Sequence, residues 1–597
     1  MIILGIHDGH EASAALLING KIVCAAQEER FTKLKGDYGF PINAIKFCLK
    51  NQNLKSKDID EVALGTFKFN PVLIKIKRNA NFDVPEWIEE QDSFWKPVLL
   101  HKKKINYWNL FKNKKFKMDK IYNFNGYLKN YMSDANNKNF LKERIKTTSN
   151  YLKISKNRIK VYLHEECHKN YAYFFFPERI DGIAITSESV GDYSSGSVST
   201  IKKNIFKLKS HTKENHLGHI YMYITLLLGM RPCMHEYKVM GLAPYASNHE
   251  INKCLKIFNE ILKVKKLNLV FNKKPPDLYF FFKEKLKNYR FDGIAGAVQK
   301  FLENKLEDWF LSCKKILKLR NFYFSGGVAQ NIKAAMVLLE NNKIGKVFVP
   351  PAAGDSTISI GACFHAAADY CDKNNLNKNK YIKSIENMYL GYEIDKDEID
   401  DFLKKNNIFK KYKVKNKFTS AEIAKELAKG KVIARCSGKM EFGLRSLGNR
   451  SILCDPRNYK NINLINSKIK KRDFWMPFTP TILEEDQNKF LINPKKVKSK
   501  FMSMAFRTTK FAQNNLQAAI HPADFTARPQ ILNKKDNPEY YNIIKEFKKI
   551  TGVGALLNTS LNLHGLPVVM NTKDAFNVFE KSDLDILIVQ NYIIKKN

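Results

Sequence analysis

The stretch Met1-Ile2-Ile3-Leu4-Gly5-Ile6-His7-Asp8-Gly9-His10-Glu11-Ala12-Ser13-Ala14-Ala15-Leu16-Leu17-Ile18-Asn19-Gly20, continuing through Lys21 to Gln27, sets the fold class. Ile2 to Ile6 is apolar, Asp8-Gly9-His10 breaks the run, and Ala14 to Ile18 is apolar again. Asn19-Gly20 is a hairpin turn signal, after which Lys21 to Gln27 reads as a third strand. The first tight turn gathers Asp8, His10 and Ser13 where a phosphate or an attacking group can sit. Neither a basic n-region nor an apolar h-region precedes His7, so a strand is expected here and not a signal peptide.

Outward from this start, residues 160 to 365 alternate short strand-like runs with helical ones. Ile183-Ala184-Ile185-Thr186, Phe322-Tyr323-Phe324 and Val347-Phe348-Val349 each end in a Gly- or acid-bearing loop. Such βα alternation predicts an α/β sheet with a ligand crevice at the strand ends. Residues 68 to 150, rich in Lys and aromatics, are expected to form helical decoration with a solvated face, serving as a lid or an acceptor-binding surface. Asp372 to Lys380 is expected to be a linker. Phe418 to Leu427 reads as a helix entering a second α/β unit that begins at Gly430-Lys431-Val432-Ile433.

A length of 597 residues, with 44% hydrophobic and 27% charged, is ordinary globular composition and excludes wholesale disorder. The net charge of +42 suits an anionic partner. However, the Lys is interspersed with Asn, as in Asn136-Asn137-Lys138-Asn139, and that pattern favours solvated faces over a nucleic-acid groove. Ten scattered Cys without a C-x-x-C pair speak against zinc fingers and disulfide frameworks, so a reducing cytoplasm is expected. No run approaches the ~18 apolar residues of a membrane span.

His164-Glu165-Glu166-Cys167-His168 matches H-E-x-x-H, and on a helix it puts two imidazoles one turn apart, able to share a metal. A protease would also need a third ligand and a cleft, which no nearby stretch supplies. Glu188 and Asp355, each following a strand, would complete an N2O2 set suited to iron, manganese or zinc. In Ser325-Gly326-Gly327-Val328-Ala329-Gln330-Asn331, glycines between strand and helix let backbone amides approach an anion such as a nucleotide phosphate. The second unit concentrates Lys439, Glu441, Arg445 and Arg450, then Lys470 and Arg472, then Thr526 and Arg528, with Asn558-Thr559-Ser560 after a strand. Guanidinium forks and lysine point charges of this kind fit a small phosphate-bearing ligand.

Taken in order, these strings resemble the NodU-type O-carbamoyltransferase family. The matching stretches are His10-Glu11-Ala12-Ser13-Ala14-Ala15, Gln27-Glu28-Glu29-Arg30-Phe31, His164 with His168, Glu236 to Tyr245, Gly326-Gly327-Val328-Ala329, Ala353-Gly354-Asp355, Glu441-Phe442-Gly443, Asp524 to Gln530 and Asn558-Thr559-Ser560. The resemblance implies an actin-like ATPase (ASKHA-type) domain over 1–380, with 68–150 inserted, and a YrdC-like α/β domain over 381–597. It implies that carbamoyl phosphate yields carbamate in the second domain. ATP then converts the carbamate to carbamoyl-adenylate in the first, and an acceptor hydroxyl attacks. Internal passage would protect carbamate, which is unstable in water.

By the same resemblance His10 is the general base and His164, His168, Glu188 and Asp355 hold the divalent metal, with iron favoured over manganese or zinc. Gly326 and Gly327, with Gln330 and Asn331, line ATP. Arg445, Lys470, Arg528 and Ser560 hold carbamoyl phosphate, with Lys439 and Asn558 nearby. The implied acceptor is a small molecule or a sugar rather than nucleic acid, and a homodimer is compatible. Here Glu188 stands where the family generally has Asp, Glu165 where a His is common, Glu11 for Asp, Lys439 for Arg, Leu444 for Pro, Ser446 for Ala and Met476 for Arg. A tRNA threonylcarbamoyladenosine-type modification enzyme shares both implied fold types and is the alternative. The two separate by filter retention of tRNA: a small-molecule enzyme should lose tRNA steeply between low and physiological salt, whereas specific retention at physiological salt would favour the alternative.

Overall fold

The computed structural model describes residues 1–116 and 121–596. The chain divides into two compact units, Met1–Ile385 and Glu386–Asn597. The first unit thus runs five residues past the expected boundary at 380. The expected linker is also folded: the helix Ile358–Lys373 reaches into it, the short helix Lys378–Tyr381 occupies its end, and Ile382 is fully buried.

In the first unit the opening stretch forms β1 (Ile2–His7), β2 (Ser13–Ile18) and β3 (Lys21–Gln27), followed by β4 (Glu61–Gly65) and β5 (Ile159–Tyr162). Their order in the sheet is β3-β2-β1-β4-β5, antiparallel through the first three strands and parallel from β1 to β5. A second sheet repeats this plan with β6 (Gly182–Ser187), β7 (Gly196–Lys202), β8 (Ile205–Thr212), β11 (Phe322–Ser325) and β12 (Val347–Phe348), a small hairpin of β9 (Leu262–Lys265) and β10 (Asn268–Phe271) intervening in sequence. Its order, β8-β7-β6-β11-β12, has the same pattern of antiparallel and parallel pairs.

Each sheet hands its last strand to a helix that crosses to the other sheet. The helix His164–Phe175 follows β5 and packs on β6 and β11, and the helix Ile358–Lys373 follows β12 and packs on β1, β2 and β4. The two helices also pack on each other. Their backbones meet at Gly361, where an added Cβ would lie 2.1 Å from the Cys167 carbonyl oxygen.

Residues 68 to 150 are helical, as expected, but the solvated-face reading is overturned. Val72, Ile76, Phe82, Trp87, Phe94, Tyr107 and Phe111 form a buried cluster with Leu226 and Tyr279. The aromatics that looked like a lid are core, and the rings of Tyr107 and Tyr131 stack 3.8 Å apart. Residues 117–120 of this stretch lie outside the described residues. The segment closes with the helix Asp134–Leu152, N-capped by Ser133.

The second unit carries an eight-stranded mixed sheet. Its strands are β13 (Lys413–Asn416), β14 (Ile433–Cys436), β15 (Arg450–Cys454), β16 (Thr479–Leu483), β20 (Gln530–Leu532), β21 (Ala555–Ser560), β22 (Ile586–Val589) and β23 (Tyr592–Lys595), ordered β13-β23-β22-β14-β15-β21-β16-β20. A small sheet of β17 (Leu491–Ile492), β18 (Phe506–Thr508) and β19 (Thr526–Ala527) lies beside it in sequence. The expected helix before β14 is present as Ser420–Ala428, with a capping box at Thr419 and Glu422.

Gly361→Ala should destabilise the protein by about 2 kcal/mol, because the methyl has no room against a backbone carbonyl. Thermal unfolding of the variant measures this, and an unchanged Tm would show that the helices do not approach so closely.

A candidate metal centre and a guanidinium cluster

The helix His164–Phe175 starts without a side-chain cap of its own. Asp192, in the loop after β6, caps it from a distance: its carboxylate accepts the His164 amide at 2.7 Å and those of Phe67 and Lys68 at 2.8 and 2.7 Å. Three N–H groups that would otherwise be unsatisfied thus share one acid. His164 and His168 lie one turn apart on this helix, Glu188 follows β6, and Asp355 precedes the helix Ile358–Lys373.

One candidate ligand atom from each of these four residues falls within 4.8 Å of the others. His164 Nε2 and His168 Nε2 are 3.1 Å apart. Glu188 oxygens lie 3.4 Å from the former and 2.8 Å from the latter, and Asp355 Oδ1 lies 3.6 and 3.7 Å away. Neighbouring donors at such separations fit around an ion with bonds of ~2.0–2.2 Å. The longer Glu188 side chain, standing where Asp is general, therefore still reaches. Gly326 makes room for it: at φ +97° its missing Cβ would sit 2.6 Å from Glu188 Oε1, and the Gly327 amide donates to Glu188 Oε2 at 3.4 Å.

Burial disfavours the protonated form of His164, yet the carboxylates of Glu188 and Asp355 outweigh it and push its pKa up to about 10. Burial would raise Asp355 and Glu188, but the two imidazoles hold both carboxyls below their ordinary range. These groups stabilise charge in one another, and the donor set is chemically suited to a divalent cation. Around them, Thr66 Oγ1 lies 3.0 Å from His164 Nδ1, and Ser325 Oγ donates to the His168 carbonyl at 3.0 Å.

His10 Nε2 is buried and has no hydrogen-bond partner among the described residues. His7, which sequence reading did not single out, is fully buried and makes a 2.9 Å bond from Nε2 to the His10 carbonyl. Burial lowers its pKa to about 4, so the ring is neutral at physiological pH and can donate that bond. Its ring centroid is 6.4 Å from that of His164. Thr66 and Asp192 were findable only by the rule that polar residues after strands line crevices.

Other expected residues do different work. Asp8 is not a phosphate-turn residue but is fully buried against Arg144. Ser13 Oγ donates to the Ser356 carbonyl at 2.8 Å. Asn331 caps the helix Ile332–Glu340 and exchanges amide bonds with Gln299, leaving little capacity for a nucleotide. Gln330 packs over Gly354, beside Asp355.

In the second unit, Arg445, Arg472 and Arg528 converge. Burial, and then the charges of Arg445 and Arg472, pull the Arg528 guanidinium well below its ordinary pKa. Guanidiniums gathered in this way can bind an anion. Asn558, on β21, donates to the Ser446 carbonyl and Thr481 Oγ1, both at 3.1 Å, while its buried Oδ1 has no hydrogen-bond partner among the described residues. Lys470 reaches Ser560 and Asn562, and Ser560 Oγ bonds Asn562 Oδ1 at 2.6 Å.

Two expected members of this set are placed elsewhere. Arg450 is fully buried and donates to the carbonyls of Tyr392, Ser437, Gly438, Asn449 and Met570, a scaffolding role. Lys439 is half exposed and lies 3.9 Å from Glu393. Glu441 accepts the amides of Leu447, Asn449 and Arg450, folding the loop that carries Arg445.

This is a two-unit mixed α/β transferase. Its family follows from two matching descriptions, Carbamoyltransferase N-terminus over residues 2–364 and Carbamoyltransferase C-terminus over 424–596, and the chain belongs to the carbamoyltransferase family of the NodU type. It is 31% identical to an uncharacterised protein of Methanocaldococcus jannaschii over 95% of each chain. It is 26% identical to nodulation protein NolNO of Sinorhizobium fredii, over 98% of this chain and 79% of that one. It is also 26% identical to a 3'-hydroxymethylcephem-O-carbamoyltransferase of Streptomyces clavuligerus, over 45% of this chain and 47% of that one.

Because His164 is held near 10, the cation-free protein carries its proton at pH 8, and binding a divalent cation there should release it. Calorimetry with Zn2+ in buffers of different ionisation enthalpy should show this release, disappearing as the pH passes about 10. Glu188→Gln should weaken Zn2+ binding about a hundredfold. Buffer-independent heats at pH 8 would contradict the assignment.

Proposed function

We propose that the protein O-carbamoylates a small-molecule or sugar hydroxyl, using carbamoyl phosphate and ATP. The observation that carries this reading is the buried set of His164, His168, Glu188 and Asp355, flanked by the Gly326-Gly327 turn and by His10. The repeated five-strand plan of the first unit supports an actin-like ATPase fold for it. The mixed sheet of the second unit, with its three converging guanidiniums, supports a YrdC-like phosphate-binding domain.

In the second unit, Arg445, Arg472 and Arg528 bind the phosphate of carbamoyl phosphate, and Lys470 orders the Ser560–Asn562 turn beside it. Water cleaves that molecule to carbamate and inorganic phosphate. In the first unit, a carbamate oxygen attacks the α-phosphorus of ATP, releasing pyrophosphate and leaving carbamoyl-adenylate. A divalent cation held by His164, His168, Glu188 and Asp355 would supply charge neutralisation at the ATP phosphates. The N2O2 set does not select iron over manganese or zinc. The acceptor oxygen then attacks the carbamoyl carbon, the bond to AMP breaks, and the acceptor proton passes to His10 Nε2. His7 holds the His10 carbonyl and so the turn that presents this base.

Incubation with ATP and carbamoyl phosphate should yield AMP, pyrophosphate and phosphate. Candidate acceptors should gain one carbamoyl group by mass spectrometry. His10→Asn should cut transfer by about a hundredfold or more while phosphate release from carbamoyl phosphate persists. Arg445→Ala should remove carbamoyl phosphate use and leave ATP binding intact. Loss of both activities in a folded His10→Asn protein would refute the division of labour.

A further inference from the structure

The helical segment that precedes β5 sends one side chain to the turns that follow β1 and β4. Arg144, on the helix Asp134–Leu152, is fully buried. Its Nε and Nη2 make a bidentate pair with Asp8, at 2.7 Å to Oδ2 and 2.6 Å to Oδ1. Its Nη2 also donates to the Gly65 carbonyl at 3.3 Å, and its Nη1 to those of Thr66 and Phe67 at 3.0 and 3.2 Å. These bonds use all five N–H donors of the guanidinium. Asp8 is further held by the Tyr122 hydroxyl, and Arg144 lies over the Phe69 ring at 4.5 Å.

Both ends of this arrangement touch chemistry. Asp8 sits between β1 and His10, adjoining His7, which holds the His10 carbonyl. Thr66 has φ +74°, a left-handed conformation that a β-branched residue rarely adopts, and in that conformation its Oγ1 meets His164 Nδ1. The surrounding turn is clamped from two sides. Arg144 takes its carbonyls, and Asp192 takes the amides of Phe67 and Lys68 together with that of His164. A strained turn persists only where neighbours over-determine it, and Arg144 supplies half of that clamp.

We infer that Arg144 is a positioning residue for the first-unit site, holding the His10 turn through Asp8 and the His164 imidazole through the strained Thr66 turn. Lysine cannot replace it: an ammonium offers three donors from one point, whereas the arginine joins the carboxylate that follows β1 to three consecutive carbonyls at the end of β4. The helical insertion therefore takes part in assembling the site, whatever acceptor surface it also provides.

The test uses the full-length protein and two variants, Arg144→Lys, which keeps the charge, and Tyr122→Phe, which removes one bond to Asp8 and leaves the fork. Hydrogen exchange read by mass spectrometry should rise in residues 5–13 and 64–68 of Arg144→Lys, with residues 196–212 unchanged. Tyr122→Phe should show a smaller rise confined to residues 5–13. AMP formation from ATP and carbamoyl phosphate should fall about a hundredfold in kcat for Arg144→Lys, with the KM for carbamoyl phosphate unchanged. This kinetic arm rests on the proposed carbamoyl transfer, but the exchange arm does not, so a wild-type protein that makes no AMP would refute that function and leave the positioning role still decided by exchange. Wild-type protection of both segments in Arg144→Lys would overturn the inference, as would a fall in Tm with kcat unchanged.

Discussion

The close crossing of two helices is the constraint on which the first unit depends. Each helix leaves one sheet and packs on the other, and they can meet only because residue 361 has no side chain. That approach brings the first turns of one helix, with His164 and His168, toward the loop that starts the other, with Asp355. Glu188 enters from the end of β6. Four ligand candidates from three separate stretches thus meet through backbone geometry, without a long search by flexible side chains.

Charge is treated oppositely in the two units. In the first, carboxylates and imidazoles face each other and each favours the charged form of its partner, while Asp8 and Arg144 neutralise one another out of contact with solvent. Taking such a pair out of water is costly, and removing one partner strands the other, at about 3–5 kcal/mol. In the second unit the charges are alike, and burial, with Arg445 and Arg472, disfavours the charged form of Arg528. Self-compensation suits a site that must stay organised while substrates change. Like charges held together suit a site completed by an anion from outside.

The legible part of the site was its chemistry. Two imidazoles at helical spacing can share a ligand, and acids after strands can line a crevice, so the sequence already groups His164, His168, Glu188 and Asp355, which the fold brings together. The three opening strands were equally plain, because short apolar runs, a polar break and an Asn-Gly turn are local signals. The errors fell where a residue type was judged without its partner. Asp8 looked like a phosphate-turn acid because Arg144 stands 136 positions away. Arg450 looked like a phosphate ligand until five carbonyls closed around it. The aromatics between 68 and 150 read as surface because short, irregular helices carry too little periodicity to mark a buried face.

The sequence by itself determined the three strands of the opening stretch, the kind of atoms offered to a cation or an anion, and the family. These follow from propensity, spacing and residue chemistry, which act over a few positions. The tertiary structure alone decided which polar side chains gather at the candidate site and which are spent on the scaffold. It set Asn331 to a helix cap, Gly326 to clearing space for Glu188, and Arg144 to a buried pair with Asp8. A buried donor must find an acceptor wherever the chain brings one, and those meetings arise from packing between distant segments, which local sequence does not encode.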